Sequence, residues 1–299
     1  MPLRLDVPAA IVLFKPEADI LRRLLVALDT NGRRIFLYLN GGVEPEVKTQ
    51  ISRLSNANVI YNPENVGLGT GLNILAATAV AEGFSHLQFF DQDSTPTPEL
   101  PAELMARFVK ADAEGMRLAI IGPLLTTPAG ENFCENRYSW RNREVGTADF
   151  APTSGSIISL AAWRQVGPFR DDYFIGGIDV EWCFRAWHHG FATLISTSTP
   201  MVHRWGTDVA RSRRWLPQIA RQSETRNYFY IRNAVDTLRL GFIPIGWRLR
   251  FGARLLAQIC FLVLSRPRTA SQRRTVRRAI HDGWSGKLGP LPTNVAAGQ

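Results

Sequence analysis

The sequence HLQFFDQDS, residues 86–94, joins a short apolar segment to two acidic residues. Its apolar part, His86–Phe90, predicts a buried β-strand. Asp91 and Asp93 follow this strand directly, and their carboxylates can converge because alternate residues of an extended chain point to the same side. Ligands of parallel α/β sheets bind beyond the carboxyl ends of the strands. We therefore expect chemistry at these two residues if the rest of the chain forms such a sheet.

Around this stretch, the first 125 residues alternate apolar strands with amphipathic helices. The predicted strands are Val7–Phe14, Ile35–Leu39, Val59–Tyr61, His86–Phe90 and Leu118–Ile121. The predicted helices are Glu17–Leu28, Glu44–Leu54, Leu72–Ala81 and Glu99–Ala113, the last with Thr97 as its N-cap and Pro98 in its first turn. This alternation predicts an α/β fold with a Rossmann-like, mostly parallel sheet and helices on both faces.

The remainder of the chain extends this pattern and then changes character. A strand at Ser156–Leu160, a helix at Ile178–His188 and a strand at Phe191–Ser196 are predicted from apolar periodicity. After Trp205 the sequence consists of helical segments that carry many arginines and tryptophans. We therefore predict an α/β domain over residues 1–205 and a basic helical region over residues 206–299.

The net charge of +9 is concentrated in the second of these regions. Residues 1–200 contain 17 Lys and Arg against 22 Asp and Glu, whereas residues 201–299 contain 18 against 4. This segregation predicts an anionic partner for the basic region, and phospholipid, nucleic acid and a phosphate-bearing substrate all qualify. A basic surface that only confers solubility is the simpler alternative.

Cysteine usage and the N-terminal sequence predict a cytoplasmic location. Cys134, Cys183 and Cys260 are far apart in sequence and form neither a metal-binding pair nor a disulfide framework, which indicates a reducing compartment. The sequence MPLRLDVPAA at the N-terminus lacks the uninterrupted apolar stretch of a secretory signal.

Asp91 and Asp93 are candidate ligands of a divalent cation. Mg²⁺ and Mn²⁺ prefer oxygen ligands and bind protein carboxylates together with phosphate oxygens. His203, beyond the last predicted strand, is a candidate third ligand through its neutral imidazole. The simpler alternatives are a turn in which Asp93 or Ser94 caps the next helix, and an ordinary structural histidine.

The glycine-rich sequence NVGLGTGLN, residues 65–73, lies between a predicted strand and a predicted helix. Its glycines would let the backbone approach a ligand closely, and the start of the helix would offer free N–H groups. The spacing G-x-G-x-G differs from the G-x-G-x-x-G fingerprint of dinucleotide binding, and the GKS or GKT of a P-loop does not occur. A dinucleotide-dependent oxidoreductase is therefore a weaker alternative function.

Asp179 begins the helix predicted at Ile178–His188, where the positive end of the helix dipole favours a carboxylate. It is a candidate general base, although helix capping alone also explains an acidic residue at this position. Glu181, two residues further along the helix, is the rival candidate.

Taken together and in order, these segments resemble the family-2 glycosyltransferases of the GT-A fold over about residues 9–240. Within that family the chain is most similar to bacterial rhamnosyltransferases that build cell-surface polysaccharide. The resemblance depends on short segments that occur in the family's order: FKP at 14–16, NG at 40–41, NVG at 65–67, DQDS at 91–94, TSG at 153–155, GPF at 167–169, DVEWCFR at 179–185, HRWG at 203–206, RNY at 226–228 and RN at 232–233.

The resemblance implies site roles in a transferase whose domain over residues 1–205 binds a nucleotide sugar. Asp91 and Asp93 would bind the metal and the donor diphosphate, His203 would complete the metal site, and Asp179 would be the catalytic base. The implied donor-binding residues are Phe14, Asn40, Asn65, Gly67, Asp91 and Asp93. The implied acceptor and sugar region consists of Thr153, Ser154, Gly155, Glu181 and Trp182.

The resemblance also implies the substrates, with two departures that concern the nucleotide. Leu39 stands before Asn40 where the family commonly has Asp, and Lys15 stands where it more often has Asn. The implied donor is dTDP-L-rhamnose, the cofactor Mg²⁺ or Mn²⁺, and the acceptor a saccharide or a lipid-linked sugar, with inversion at the anomeric carbon.

A nucleic-acid-binding protein is the alternative from another functional class. It would act through the arginines of the basic region, Arg273, Arg274, Arg277 and Arg278. No nucleic-acid partner is expected, because no recognition motif accompanies these arginines and the acidic residues 1–200 would repel phosphate.

The apolar stretch between Phe242 and Ser265 is interrupted by three arginines, which leaves only Leu255–Leu264 without a charge. Crossing a bilayer takes about 20 apolar residues, so this segment is too short. We expect an interfacial helix with Trp247, Phe251, Leu255 and Leu256 on its lipid-facing side and its arginines near anionic headgroups. The enzyme would then lie peripherally at the inner face of the plasma membrane. A helix that packs on the α/β domain is the simpler alternative.

Overall fold

The computed structural model describes residues 7–29, 32–127, 140–142, 147–203, 223–264 and 270–291 of the 299-residue chain. The predicted domain boundary after Trp205 lies outside these residues, as does the RWG part of the motif that begins at His203. Cys134 lies outside them as well.

The N-terminal part alternates strands and helices as the sequence predicts. Its strands are β1 (Ala9–Leu13), β2 (Ile35–Asn40), β3 (Ala57–Asn62), β4 (His86–Phe90) and β5 (Leu118–Thr126). Its helices are α1 (Ala18–Leu28), α2 (Pro45–Ser52), α3 (Leu68–Ala81) and α4 (Leu100–Ala113). The apolar face predicted for α1 is the one that packs inward, since its leucines at 21, 24, 25 and 28 are buried.

The described residues after β5 add further strands and helices. The strands are β6 (Trp140–Asn142), β7 (Thr147–Ala148), β8 (Ile157–Ser159) and β9 (Ala192–Val202). The helices are α5 (Leu160–Val166), α6 (Ile178–His188), α7 (Glu224–Thr237), α8 (Ile245–Leu264) and α9 (Ala270–Trp284).

The described strands form one sheet in the order β3-β2-β1-β4-β8-β5-β9-β7-β6. Strands β1 to β4 are mutually parallel, and β5 is parallel to β9. Between these groups, β8 is antiparallel to both β4 and β5, so the two groups run in the same direction. The predicted α/β fold with a mostly parallel sheet is confirmed. The carboxyl ends of β1, β2, β4 and β9 therefore meet at one edge of the sheet.

The N-cap of α4 and the first residue of α3 differ from the prediction. The N-cap of α4 is Glu99, and the Leu100 N–H donates to the Thr97 carbonyl oxygen, so Thr97 belongs to the preceding turn and its prediction as N-cap is wrong. Helix α3 begins at Leu68 instead of Leu72, with Gly67 as its N-cap. Glycine has a low helix propensity, so the sequence predicts a loop over Gly69 and Gly71. In the structure the tertiary packing of these glycines overrides that preference.

The three C-terminal helices pack together into a second core. Its buried members are Tyr228, Phe229, Ile231, Ala234, Leu255, Leu262, Val276 and Ala279, and Phe174 and Ile175 of the preceding part of the chain pack against it. Helix α9 approaches α7 closely at Gly283, where a Cβ would collide with the backbone carbonyl oxygen of Arg232. The basic helical region is therefore packed on the α/β part of the fold.

The lipid-facing side predicted for α8 is wrong for three of its four residues. Trp247 and Leu255 are buried, and Phe251 stacks on Trp247 with 4.5 Å between ring centroids. Trp247 also contacts Phe184 of α6. Leu256 is 63% exposed on the other side of the helix. No helix within the described ranges is long and apolar enough to span a membrane.

Candidate active site

The three residues predicted as metal ligands lie together at the carboxyl edge of the sheet. Asp91 and Asp93 follow β4, and His203 follows β9. A backbone bridge between Thr95 and Val202 joins the D-x-D loop to the end of β9. One ligand atom from each of the three residues lies within 4.8 Å of the others, and Nε2 of His203 is 4.0 Å from Oδ2 of Asp91.

This ligand set fits a divalent cation. Carboxylate oxygens suit both Mg²⁺ and Mn²⁺, and an imidazole nitrogen adds a ligand common for transition metals. The Asp91 side chain is 38% exposed, so an ion could reach it from solvent. Burial raises the pKa of Asp91, Asp93 raises it further, and His203 and a hydrogen bond from Ser154 lower it. Two carboxylates that repel each other in this way are stabilised in their charged form by a cation.

The D-x-D loop is tied to the end of β1 through Gln92. Its Oε1 accepts a hydrogen bond from the Phe14 N–H at 2.9 Å, and its Nε2 donates to the Phe14 carbonyl at 3.1 Å. These two bonds fix the backbone from which Asp91 and Asp93 project. The Phe14 ring is 41% exposed beside the loop, where a donor base could stack on it. Gln92 is not among the predicted site residues, although it lies inside the DQDS motif.

Residues Thr153–Gly155 form a turn behind the D-x-D loop. The Gly155 N–H donates to the Phe89 carbonyl at 2.8 Å, and Nε2 of Gln88 donates to the Gly155 carbonyl at 2.8 Å. The Ser154 hydroxyl is 2.9 Å from that of Ser94, the last residue of the DQDS motif. Thr153 and Ser154 are 9% and 3% exposed. This burial argues against the predicted acceptor contact. It indicates instead that the turn supports Asp91, to which Ser154 forms a hydrogen bond.

Asn40 and Asn65 shape the loop before α3 through hydrogen bonds. Nδ2 of Asn40 donates to Oδ1 of Asn65 at 2.9 Å and to the Gly67 carbonyl at 3.1 Å. Its Oδ1 accepts from the Val66 N–H at 2.8 Å, and Oδ1 of Asn65 also accepts from the Gly67 N–H at 3.0 Å. Asn40 is 2% exposed, which argues against the predicted donor contact and gives this residue a role in folding the loop.

Gly67, the N-cap of α3, and Gly69, in the first turn of this helix, are covered by protein. A Cβ at Gly67 would come within 2.8 Å of the Phe174 ring, and a Cβ at Gly69 would collide with the Arg170 carbonyl. The Leu68 N–H at the start of α3 donates to the Phe174 carbonyl at 2.6 Å. These contacts explain the glycines by packing, and the approach of their backbone to a ligand stays a prediction. Small residues are needed here because α3 packs on the 170–177 loop, and this contact also disfavours dinucleotide binding.

Asp179 lies in the first turn of α6, next to the acidic cluster. The chain enters this helix through Gly176 and Gly177, whose φ angles of 84° and 76° are favourable only for glycine. Oδ1 of Asp179 accepts a hydrogen bond from the Val180 N–H at 2.9 Å. Burial raises the pKa of Asp179 to about 6, backbone hydrogen bonds lower it, and the charge of Asp91 raises it. Such a carboxylate is suited to accept a proton near neutral pH.

Glu181 and Trp182 are buried and form hydrogen bonds within the protein. Nε and Nη2 of Arg185 lie 2.8 Å and 2.9 Å from the two carboxylate oxygens of Glu181, which is 2% exposed. Trp182 is fully buried, and its Nε1 donates to the Gly167 carbonyl at 2.9 Å. These contacts argue against the predicted acceptor roles of both residues and against Glu181 as the rival base.

Arg226 is a candidate site residue that sequence reasoning missed, although its segment RNY is part of the resemblance. It lies in the first turn of α7, where its N–H donates to the hydroxyl of the N-cap Ser223 at 3.2 Å. Its side chain is exposed, and its positive charge lowers the pKa of Asp91. A guanidinium in this position can attract the phosphate groups that carboxylate-bound cations also bind.

Known proteins resemble the chain in sequence and in fold. No family model matches it. The dTDP-rhamnosyl transferase RfbF of Shigella flexneri is 24% identical over 251 residues, which are 80% of this chain and 82% of that protein. The crystal structure of S. aureus TarS superposes with a TM-score of 0.59 at 14% identity, covering 97% of this chain but only half, 50%, of TarS.

Two further solved structures contain bound ligands. Residues 1–349 of S. aureus TarS in complex with UDP-GlcNAc superpose with a TM-score of 0.57 at 12% identity, covering 93% of this chain and 80% of that chain. GalNAc-T7 with UDP, GalNAc and Mn²⁺ superposes with a TM-score of 0.55 at 14% identity, covering 87% of this chain and 57% of that chain. The chain therefore has the α/β fold of the GT-A glycosyltransferases, the family that its sequence motifs resemble.

Proposed function

We propose that the chain is an inverting, metal-dependent glycosyltransferase that uses a nucleotide sugar. The observation that carries the proposal is the cluster of Asp91, Asp93 and His203, whose ligand atoms lie within 4.8 Å of one another at the carboxyl edge of the sheet. Asp179, a half-buried carboxylate with a raised pKa, interacts electrostatically with Asp91. A cation-binding cluster beside a general base is what transfer from a diphosphate leaving group requires.

The proposed donor is dTDP-L-rhamnose. Its support is the similarity to the Shigella flexneri dTDP-rhamnosyl transferase, together with the motifs shared with bacterial rhamnosyltransferases. The proposed acceptor is a hydroxyl of a saccharide or a lipid-linked sugar in the synthesis of cell-surface polysaccharide.

The proposed reaction is a single displacement at the anomeric carbon. The acceptor hydroxyl oxygen forms a bond to this carbon while the bond to the donor phosphate oxygen breaks, and Asp179 takes the hydroxyl proton. Attack from the face opposite the leaving group inverts the anomeric configuration. Asp91, Asp93 and His203 would hold the cation, which when bound supplies positive charge to the departing nucleoside diphosphate. Arg226 would bind the same phosphates from the α7 side.

A donor screen tests this proposal. Purified protein is incubated with a panel of nucleotide sugars, and released nucleoside diphosphate is measured with Mn²⁺, with Mg²⁺ and with a chelator. We expect release from dTDP-L-rhamnose that the chelator abolishes. Release from another donor alone would correct the sugar but not the chemistry, whereas no release from any donor, with unchanged melting temperature when donor and Mn²⁺ are added, would overturn the proposal.

Turnover is expected to fall as the pH decreases through about 6. Asp179 accepts a proton only when ionised, and burial raises its pKa to about 6. The base is therefore lost as the pH falls through that value and is fully present above it. The pH profile of kcat/KM for the free enzyme checks this, since kcat/KM reports groups of the free enzyme. An acid limb near the ordinary carboxylate value of about 4 would contradict the assignment.

We also propose that α8 binds an anionic membrane surface, through a face other than the one predicted from the sequence. Its outward side is apolar, with Ile245, Leu249, Leu256 and Leu264 each more than 60% exposed. Residues 245, 249 and 256 share one helical face, Arg248 lies next to this face, and Arg250 and Arg254 lie further around the helix. Apolar side chains flanked by arginines are typical of an interfacial helix, in which each basic residue contributes about 1 kcal/mol near anionic lipid. This location would be the inner face of the plasma membrane, where a lipid-linked acceptor is present.

Replacement of Leu249 and Leu256 together by Glu is expected to reduce binding to phosphatidylglycerol vesicles by at least about tenfold. Inserting one leucine side chain into an apolar phase contributes about 1.5–3 kcal/mol, so losing two should be easily measured. Sedimentation of protein with vesicles at low and high salt is the measurement. Val26→Glu, an equally exposed apolar position at 70% on α1, is the matched control. Equal sedimentation of the double variant and the control would contradict the membrane proposal.

A further inference from the structure

The backbone carbonyls of the 170–177 loop accept hydrogen bonds from outside the loop. Nδ2 of Asn233 on α7 donates to the carbonyls of Tyr173 at 2.9 Å, Ile175 at 3.0 Å and Gly176 at 2.7 Å. The Phe174 carbonyl between them accepts from α3. Asn233 is 1% exposed, so these bonds are formed in a region from which water is largely excluded.

Arg232 completes the set of donors and orients Asn233. Its Nη2 donates to the carbonyls of Asp172 and Tyr173, both at 3.0 Å. Its Nε donates to Oδ1 of Asn233 at 2.9 Å, so the amide nitrogen of Asn233 must face the loop. Its Nη1 donates to the Gly289 carbonyl after α9, whose own N–H donates to the Asp172 carbonyl. Arg232 and Asn233 therefore join the C-terminal helices to the loop.

The loop needs such partners because its backbone is irregular. Phe174 has a φ of 62°, which is unusual for a residue with a side chain, and Gly176 and Gly177 are also left-handed. Buried carbonyls without partners are costly, and a backbone in this conformation persists only when its surroundings hold it. The loop ends at Gly177, the N-cap of the helix whose first turn carries Asp179.

We propose that Arg232 and Asn233 are positioning residues, which hold the carbonyls of residues 172, 173, 175 and 176 so that Asp179 is aimed at the acceptor hydroxyl. This inference rests on the proposed function for its kinetic consequence. It assigns a role to the RN segment at 232–233, and it makes the C-terminal helices necessary for turnover as well as for membrane contact. An error of about 1 Å in the place of a reacting group can reduce a rate on the order of a hundredfold.

Asn233→Ala and Asn233→Ser test this inference, with Tyr228→Phe as the matched control. Alanine removes all three bonds to the loop, and serine retains one short donor in case alanine prevents folding. Tyr228 lies on the same helix and is also buried, and its hydroxyl donates to Asp282 of α9 at 2.7 Å. Tyr228 also interacts with Arg232, but its hydroxyl does not bond to the carbonyls that Asn233 holds. The control therefore loses a buried hydrogen bond of the same helix while the three bonds from Asn233 to the loop remain.

The first measurement is hydrogen–deuterium exchange of the wild type and the three variants. Both Asn233 variants should exchange faster in peptides that span residues 172–178, whereas Tyr228→Phe should do so only in α7 and α9. This measurement needs no substrate, so it decides the structural part of the inference even if the chain is not a transferase. Unchanged exchange in residues 172–178 would overturn the inference.

The second measurement is transfer or hydrolysis of dTDP-L-rhamnose with Mn²⁺. The Asn233 variants should lose kcat on the order of tenfold to a hundredfold while the donor dissociation constant, measured by calorimetry, changes less than about threefold. The control should retain kcat at a temperature where it is folded. Faster loop exchange with unchanged kcat would overturn the positioning role. No reaction of the wild type with any donor would instead reject the proposed function and leave the exchange result standing.

Discussion

Asp179→Asn is expected to remove most turnover while donor binding remains unchanged. Asparagine keeps the shape of the side chain, and its oxygen can still accept the hydrogen bond from the Val180 N–H that Asp179 accepts. The amide cannot take the proton of the acceptor hydroxyl, and general-base catalysis contributes about 10²–10⁴-fold. We therefore expect kcat to fall by about that factor. Steady-state kinetics with donor and acceptor saturating, and calorimetry of donor binding with Mn²⁺, are the two measurements.

Two other carboxylates of the same region provide controls for this prediction. Asp171→Asn changes an exposed carboxylate on the 170–177 loop and should leave both quantities unchanged. Glu181→Gln weakens the buried ion pair with Arg185, so its main effect should be a lower melting temperature and not a lower kcat. A greater loss of kcat in Glu181→Gln than in Asp179→Asn would show that the base is assigned to the wrong carboxylate.

The position of the site could be predicted from the sequence because it depends on local features. A buried strand followed at once by Asp91 and Asp93 places two carboxylates at the carboxyl edge of a parallel sheet. The same argument applies to His203, which follows β9. Since β9 runs parallel to β4 in the sheet, the two strand ends meet although their residues are more than a hundred positions apart.

The sequence could not distinguish residues that contact a ligand from residues that support those contacts. Asn40, Ser154 and Gly67 belong to the family's motifs, yet the structure buries the two side chains and covers the glycine with Phe174. Their partners are distant in sequence, so local pattern carries no information about their burial. A residue of such a motif can therefore either bind a substrate or hold the residue that does.

The prediction of which side of α8 faces lipid failed for a related reason. Its sequence has apolar residues on more than one side, so periodicity alone allows either side to pack inward. Which side packs inward depends on the surfaces of the neighbouring elements. In this structure Trp247 packs against Phe184 of α6. Leu249 and Leu256 are left outside on the opposite side. Only the tertiary packing of the helix decides between them.

Asp93→Ala and Asp91→Ala are expected to abolish Mn²⁺-dependent donor binding without unfolding the protein. Each removes one of the three candidate ligands that lie within 4.8 Å of one another. Losing a partner that only supports a ligand costs about 10–100-fold in metal affinity, so losing a ligand itself should cost at least about a hundredfold. Calorimetric titration of dTDP-L-rhamnose with Mn²⁺ and with a chelator measures the effect. Glu99→Ala, an exposed carboxylate shortly after the loop, is the control.

The melting temperatures of the same two variants distinguish a metal site from an acidic cluster that is only structural. The negative charge of Asp93 raises the pKa of Asp91, so the two carboxylates repel each other when no cation is present. Removing Asp93 relieves this repulsion, and the melting temperature without metal should therefore not decrease. The stabilisation that saturating Mn²⁺ and donor give the wild type, about 2.7 kcal/mol at a concentration of 100 Kd, should be lost in both variants. If Asp93→Ala lowers the metal-free melting temperature and still binds donor with wild-type affinity, the cluster is structural and the proposed leaving-group chemistry has no cation to support it.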